Sequence, residues 1–289
     1  GPSRFIEQWL NRAGAPEISL DNVSVRKLDD GYLLRVKISQ QQQGPAYHLQ
    51  IPLKVALQGK AQPQHETILL TEKSKLFTFK LKQQPLTVSL DPDYDVFRLL
   101  HANERPATLG RLFGAKKQLL VIPSSATAEQ MKAWQKLAAA WSGQYKNVAL
   151  LYDNQNVSEI KAIADDTAVW LLGWNNELLK DYREYFTSQY DSSSPAPSQT
   201  LSGKTVSIDD RQLDADKHAV VLLDADNTRT PLAFIGADDP EAIALLARKL
   251  PHYNSYGVLA FELPAVNNII KQHLPVLKSP MVWKLEQEK

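Results

Sequence analysis

Period-two alternation dominates the first third of the chain. Between residues 47 and 57 the apolar positions are Tyr47, Leu49, Ile51, Leu53, Val55 and Leu57, a strand with one buried face. Leu34, Val36 and Ile38 make a second run and Phe77, Phe79 and Leu81 a third, with shorter candidates at Val23/Val25, Ile68/Leu70 and Leu86/Val88/Leu90. Turn-forming residues separate them: Asp29-Asp30-Gly31, Gly44-Pro45 and the stretch from Gly59 to Pro63. Pro52 lacks an N–H for a ladder, so it predicts an edge position or a bulge. The glutamines from Gln40 to Gln43 read as a solvated strand end or loop. Before the strands, Phe5, Ile6, Trp9 and Leu10 fall on one face of a short helix over residues 4–13, with Gly14 placed to cap it and Pro16 to stop it.

From residue 117 the rhythm changes. Leu119–Ile122 is a continuously apolar strand, and a helix over Thr127–Trp141 carries Met131, Trp134, Leu137, Ala138 and Trp141 on one face. Thr127 and Gln130 have the spacing of a capping box. Strands follow at Val148–Tyr152 and Val169–Leu172, with helices over Ser158–Ala164 and Asn176–Tyr190. A serine- and proline-rich loop occupies residues 191–199. Val206, Ala219–Leu223 and Leu232–Ile235 read as strands, Pro240–Leu250 as a helix and Gly257–Phe261 as the last strand. Strand–helix alternation predicts a parallel sheet covered on both faces. Six or seven short strands over about 80 residues predict an immunoglobulin-like sandwich before it. The expected fold class is therefore multidomain: an immunoglobulin-like all-β sandwich over residues 17–100, a connector over 101–114, and an open three-layer α/β domain over 115–289. Residues 1–16 are assigned to a tag remnant, Gly1-Pro2-Ser3, and the short linking helix.

Composition narrows the chemistry. The 289 residues hold 33 lysines and arginines against 32 aspartates and glutamates, a net charge of +1, so bulk charge gives no case for nucleic acid as a partner. There is no long basic run. Cysteine is absent, which excludes disulfides, thiol catalysis and thiolate-bound metal in this chain. No apolar run reaches the roughly 18 residues of a transmembrane segment. His65-Glu66 has Leu69 where a zinc helix needs its second histidine, and no Gly-x-Ser-x-Gly elbow is present.

Two constellations remain. Val220-Val221-Leu222-Leu223-Asp224-Ala225-Asp226-Asn227-Thr228 is similar to the first motif of haloacid-dehalogenase-type phosphatases, where one aspartate attacks phosphorus and the next acts as general acid–base beside magnesium. That likeness implies a stand-alone Mg-dependent phosphatase using Asp224 and Asp226. Only about seven residues link the strands on either side, however, too few for a crossover, and this predicts a hairpin with a polar turn. Asp153, Trp174 and Asn175 follow apolar strands and would line a crevice at the carboxyl ends of a parallel sheet, the ordinary ligand position in such domains. This is the binding-module alternative; the plain alternative is a turn with a helix cap. Asp91, Asp93 and Asp95 alternate as calcium ligands do, but Pro92 favours a turn.

Three stretches together carry a resemblance: Phe5-Ile6-Glu7-Gln8-Trp9-Leu10 with Gly14-Ala15-Pro16; Val88-Ser89-Leu90-Asp91-Pro92-Asp93-Tyr94-Asp95-Val96-Phe97-Arg98 with Glu104-Arg105-Pro106; and Arg248 through Phe261, Arg248-Lys249-Leu250-Pro251-His252-Tyr253-Asn254-Ser255-Tyr256-Gly257-Val258-Leu259-Ala260-Phe261. The first two resemble the region that follows the catalytic domain in aminopeptidase N-type zinc metallopeptidases, the gluzincin class. The third resembles the C-terminal region of a bacterial subgroup. The family's HExxH helix and GxMEN-type loop do not occur in this sequence, so no catalytic residue carries over. The resemblance implies a non-catalytic C-terminal accessory region that docks on, and shapes access to, a catalytic domain absent from this chain. It further implies zinc only in that domain, the remainder of the parent polypeptide as partner, peptide substrate contacts, and a bacterial cell envelope or periplasmic setting.

Overall fold

The computed structural model describes residues 7–145, 147–155, 166–187, 198–227 and 229–285. Strand makes up 41% of the described residues and helix 19%, so β-structure outweighs helix. The chain divides into two compact units, residues 1–105 with 278–289, and residues 106–277.

The first unit contains β1 (Ile18–Leu28), β2 (Gly31–Gln40), β3 (Leu49–Leu57), β4 (Gln64–Leu70), β5 (Ser74–Leu81) and β6 (Pro85–Leu90). They form two antiparallel sheets around one apolar core. One has the order β1-β2-β5; the other is a four-stranded sheet in which β6, β3 and β4 lie side by side. The alternation in the sequence is the mechanism: Leu34, Val36 and Ile38 are buried while Arg35 and Lys37 between them are exposed. The fourth strand of the second sheet comes from the far end of the chain. Val282–Lys284, three residues long, pairs antiparallel with β6, and Met281 beside it is buried in the core. The assignment of all residues 115–289 to an α/β domain is corrected accordingly. Three residues are too few to display a period, so nothing in the local pattern marked them.

Pro52 stands in β3 between two partners rather than at an edge or bulge. The ladder between β3 and β6 starts one residue later, at Leu53 opposite Leu90. The Pro52 carbonyl accepts from the Asp91 N–H at 2.8 Å, and the return bond that Pro52 cannot make is never required. Gln40 is likewise buried, not solvated. Its side chain donates to the carbonyls of Tyr47 (2.8 Å) and Glu72 (3.2 Å) and accepts from the Tyr47 N–H (2.8 Å), bonding three points of two loops. Residues 7–10 are helical; Trp9 stacks on Tyr47 with centroids 5.4 Å apart, whereas Leu10 is 77% exposed. Phe5 and Ile6, and the tag remnant, lie outside the described residues.

Where β6 ends, Asp91 takes a positive φ of 48° and the chain leaves the sheet. Arg98 then returns beneath it. Its Nε donates to Asp91 Oδ2 at 2.7 Å, and Nη1 and Nη2 donate to the two Glu104 oxygens at 2.8 and 2.7 Å. The guanidinium and the Asp91 carboxylate have no exposed side-chain surface. Burial pulls the Arg98 pKa down, but the hydrogen bonds to Glu104 and Asp91 outweigh it and hold the group above its ordinary value. The remaining oxygens are also used: Glu104 Oε2 accepts from the His101 N–H, and Asp91 Oδ1 from the Val96 N–H. Asp93 and Asp95 are exposed, so the three alternating aspartates do not converge as calcium ligands would.

The second unit begins with α1 (Leu109–Phe113), β7 (Lys117–Ile122), α2 (Ala128–Ser142), β8 (Val148–Tyr152), β9 (Thr167–Leu172) and α3 (Leu179–Tyr182). A 3-10 turn over Arg183–Phe186 follows, then a small antiparallel meander of β10 (Gln199–Ser202), β11 (Thr205–Ile208) and β12 (Arg211–Asp214). The unit closes with β13 (His218–Leu223), β14 (Leu232–Gly236), α4 (Pro240–Lys249), β15 (Val258–Glu262) and β16 (Asn267–Gln272). Its main sheet has seven strands in the order β16-β15-β13-β14-β9-β7-β8. Only β14, β9, β7 and β8 run parallel; β13, β15 and β16 are antiparallel to their neighbours, so the expected parallel sheet is mixed. β16 was not foreseen, because Ile269 and Ile270 are adjacent and break the alternation.

All six residues of β9 are buried. Trp170 packs against Phe113 and Trp141, both at 5.0 Å or less between centroids. Phe234 of β14 is in register with Leu171, hence on the opposite face, and meets Phe186 at 5.9 Å. The capping box of α2 forms as its spacing predicts: Gln130 N–H donates to Thr127 Oγ1 and Thr127 N–H to Gln130 Oε1. The helix expected over Asn176–Tyr190 is shorter, α3 plus the 3-10 turn, because Asn176 spends its side chain on backbone groups (below). Residues 188–190, the loop after them up to 197 and the Ser158–Ala164 helix lie outside the described residues.

Replacing Arg98 leaves two buried carboxylates without a counter-charge. Arg98→Leu is expected to cost about 3–5 kcal/mol, read as a lower urea midpoint. A midpoint shift corresponding to less than about 1 kcal/mol, the scale of an exposed pair, would contradict the clasp.

Candidate functional site

The parallel strands place Asp153 directly after β8. Its N–H donates to the Ile122 carbonyl at 3.1 Å, which continues the ladder one step. Both carboxylate oxygens are then committed. Oδ1 accepts from the Ser124 N–H at 2.8 Å and Oδ2 from the Glu177 N–H at 2.7 Å. The side chain, 1% exposed, therefore joins the loops that follow β7 and β9. Asn176 works beside it: Nδ2 donates to the carbonyls of Val121 (2.9 Å) and Leu172 (3.1 Å), and Oδ1 accepts from the Leu178 N–H. Asn175, the expected cap and crevice residue, is exposed, and its neighbour does the bonding.

Trp174 is 4% exposed and lies edge-on to Phe234 at 5.3 Å. Gly236 makes room for it; a Cβ there would stand 2.7 Å from the indole ring. The indole Nε1 has no hydrogen-bond partner among the described residues. Asp238 braces the same edge of the sheet. It accepts from Lys204 Nζ at 2.8 Å, and its carbonyl accepts from Gln130 Nε2 at 2.8 Å, while Asp239 caps α4 through the N–H groups of Glu241 and Ala242. Asp153 and Trp174 thus reach the carboxyl edge as expected, but both are buried in contacts of the chain with itself.

Asp224 and Asp226 lie elsewhere. β13 and β14 form an antiparallel hairpin, with Leu223 opposite Ala233, and Leu232 pairs with Val169 near the start of β9. The loop after β13 therefore stands at the amino ends of the parallel strands, opposite to the edge that holds Asp153. Asp224 Oδ1 accepts from the Asp226 N–H (2.9 Å) and from Arg229 Nη2 (2.8 Å), and Arg229 Nε is 3.5 Å from Asp226 Oδ2. Arg229 also stacks 4.3 Å from the centroid of Tyr185. Arg111 of α1 holds the loop from outside, donating to the Asn227 side chain and to the carbonyls of Asn227 (3.1 Å) and Arg229 (3.3 Å). The chain's own guanidinium thus sits on both carboxylates, where the phosphatase alternative calls for magnesium. Thr228 of that motif lies outside the described residues.

Burial raises the Asp224 carboxyl above its ordinary value, and the Asp226 N–H and Arg229 offset this only in part. Its Oδ2 is buried with no hydrogen-bond partner among the described residues. Sequence reasoning did not find Arg229, Arg111 or Asn176. The available signal was an arginine five residues after an aspartate in a turn; Arg111, more than a hundred positions away, had none. No group of three or more histidine, aspartate or glutamate side chains placed to hold a metal occurs among the described residues.

Compared with known families and curated proteins, the chain matches no family model and no curated protein.

Two outcomes test this description. Asp153→Ala removes the acceptor of two part-buried N–H groups and is expected to cost about 1–3 kcal/mol in chemical denaturation; a neutral result would show that the two loops hold without it. Asp224 keeps its proton more readily in the fold than in the unfolded chain. As pH rises from the unfolded value of 3.8 through the raised folded one, the unfolded state loses its proton first, and stability falls. Wild type should therefore gain stability relative to Asp224→Asn on acidification from about pH 7 to about pH 4. A difference independent of pH contradicts this.

Proposed function

We propose that this chain is a non-catalytic accessory region of an aminopeptidase N-like metallopeptidase. In this reading an immunoglobulin-like sandwich and an open three-layer α/β domain dock on a catalytic domain outside the chain and shape access to it. Zinc belongs to that domain, and the setting is a bacterial cell envelope. The observation that carries the proposal is the use made of the resembling residues. Asp91, Arg98 and Glu104 are wholly engaged with one another, and Trp9 is engaged with Tyr47 and, edge-on at 5.5 Å, with Phe97. These are scaffold contacts, as an accessory region requires. The carboxylates on which a self-contained enzyme would draw are engaged as well: Asp153 with two N–H groups, Asp224 and Asp226 with Arg229.

The test is enzymatic and genetic together. The chain supplied with zinc is expected to hydrolyse no aminoacyl p-nitroanilide, and the natural coding sequence upstream of residue 4 is expected to encode an HExxH helix with a downstream glutamate. Stoichiometric zinc with aminopeptidase turnover by this chain overturns the proposal. So does Mg-dependent phosphatase activity that Asp224→Asn abolishes.

A further inference from the structure

Net charge near zero hides an uneven distribution. On the sheet β1-β2-β5 the residues alternate between core and outer face, and register brings the outward ones together. Leu33 lies between Arg26 and Lys80, Arg35 opposite Thr78, and Lys37 opposite Leu76. Arg26, Arg35, Lys37 and Lys80 are all exposed. With strands about 4.8 Å apart and like-facing residues about 6.7 Å apart, the four cations share a patch of roughly 10 by 13 Å. None of their side chains has an ion pair or hydrogen bond among the described residues. The acidic groups nearby lie at the ends of the face: Asp21, which accepts from Ser19 and Ser39, and the turn Asp29-Asp30. No two of the four stand directly opposite, since Arg35 also faces Ser24 and Lys37 faces Asn22, so they are diagonal neighbours on one face, and no acidic side chain pairs with any of them among the described residues.

We propose that this face docks on an anionic lipid membrane surface. Complementary charge points to an anionic partner, and the rest of the face selects among such partners. Leu76, 56% exposed beside Lys37, supplies an apolar side chain that can enter the headgroup layer. No aromatic ring stands on the face to stack a base, as single-stranded nucleic acid binding needs. The cations are long and exposed, and none is held by an ion pair or hydrogen bond among the described residues, which suits a fluid field of headgroups better than the fixed geometry of a folded partner. This inference is independent of the accessory role proposed above.

The probe is cosedimentation of the full chain with phosphatidylcholine vesicles, with and without phosphatidylglycerol. Binding is expected only with the anionic lipid and is expected to fall as salt rises from about 50 to about 500 mM. Replacing both Arg35 and Lys37 by Gln should weaken it about thirtyfold, and Leu76→Gln several-fold. The same charge change on the outer face of the other sheet, Lys54→Gln with Lys284→Gln, is expected to change it less than about twofold. Thermal midpoints of the variants confirm that each is folded. Equal loss in both double variants, equal binding to neutral vesicles, or no binding to either overturns the proposal. So does retention of a single-stranded oligonucleotide without retention of vesicles.

Discussion

A guanidinium stripped of water is stable only when its donors are met, and Arg98 meets that condition with two carboxylates that are themselves fully engaged. The end of β6, the positive φ at Asp91 and a 3-10 turn over Ala102–Glu104, capped by His101, all converge on it. Because Asp91 turns away there, Pro52 can lie in an interior strand without an unmet partner. Tyr94 joins the same cluster, its hydroxyl donating to the Glu104 carbonyl at 3.2 Å. A buried pair of this kind adds less to net stability than its short distances suggest, since two charged partners have also lost their hydration. What it fixes is geometry: the route of the chain between the last strand and residue 105.

The second unit uses hydrogen bonds from single buried side chains to the same end. Gln118, buried in β7, donates to the Leu112 carbonyl at 2.7 Å and accepts from the Trp170 indole at 2.7 Å. Asn176 and Asp153 treat the carboxyl edge of the sheet in the same way. Apart from the bond to the Trp170 indole, these bonds satisfy backbone groups that would otherwise lack a partner. The consequence for function is direct. The polar residues that a reader of the sequence would assign to a ligand are the ones the fold needs to close its own loops.

Legibility followed the length of the pattern. β3 and β2 have alternation long enough to be unmistakable, and the Thr127–Gln130 box marked the start of α2. Asp91 was read as part of a turn, correctly, but its partner Arg98 was invisible because an ion pair leaves no periodic trace. Gln40 looked solvated since a glutamine run is polar on average, whereas burial is decided residue by residue. The hairpin at Asp224 was legible from spacing alone; which edge of the sheet it occupies was not, because strand direction is a property of the assembled sheet. The cationic face has the same character. Its residues lie on three strands and never form a run.

The pairing of Val282–Lys284 with β6 has a consequence for the order of events in synthesis. The second sheet of the first unit is completed by residues made only after the whole of the other unit. Until they emerge, the outer edge of β6 presents unpaired backbone groups, the kind of template through which nascent chains associate wrongly. Completion of that sheet therefore waits on Val282–Lys284, and a chain cut near residue 277 would leave the outer edge of β6 unpaired.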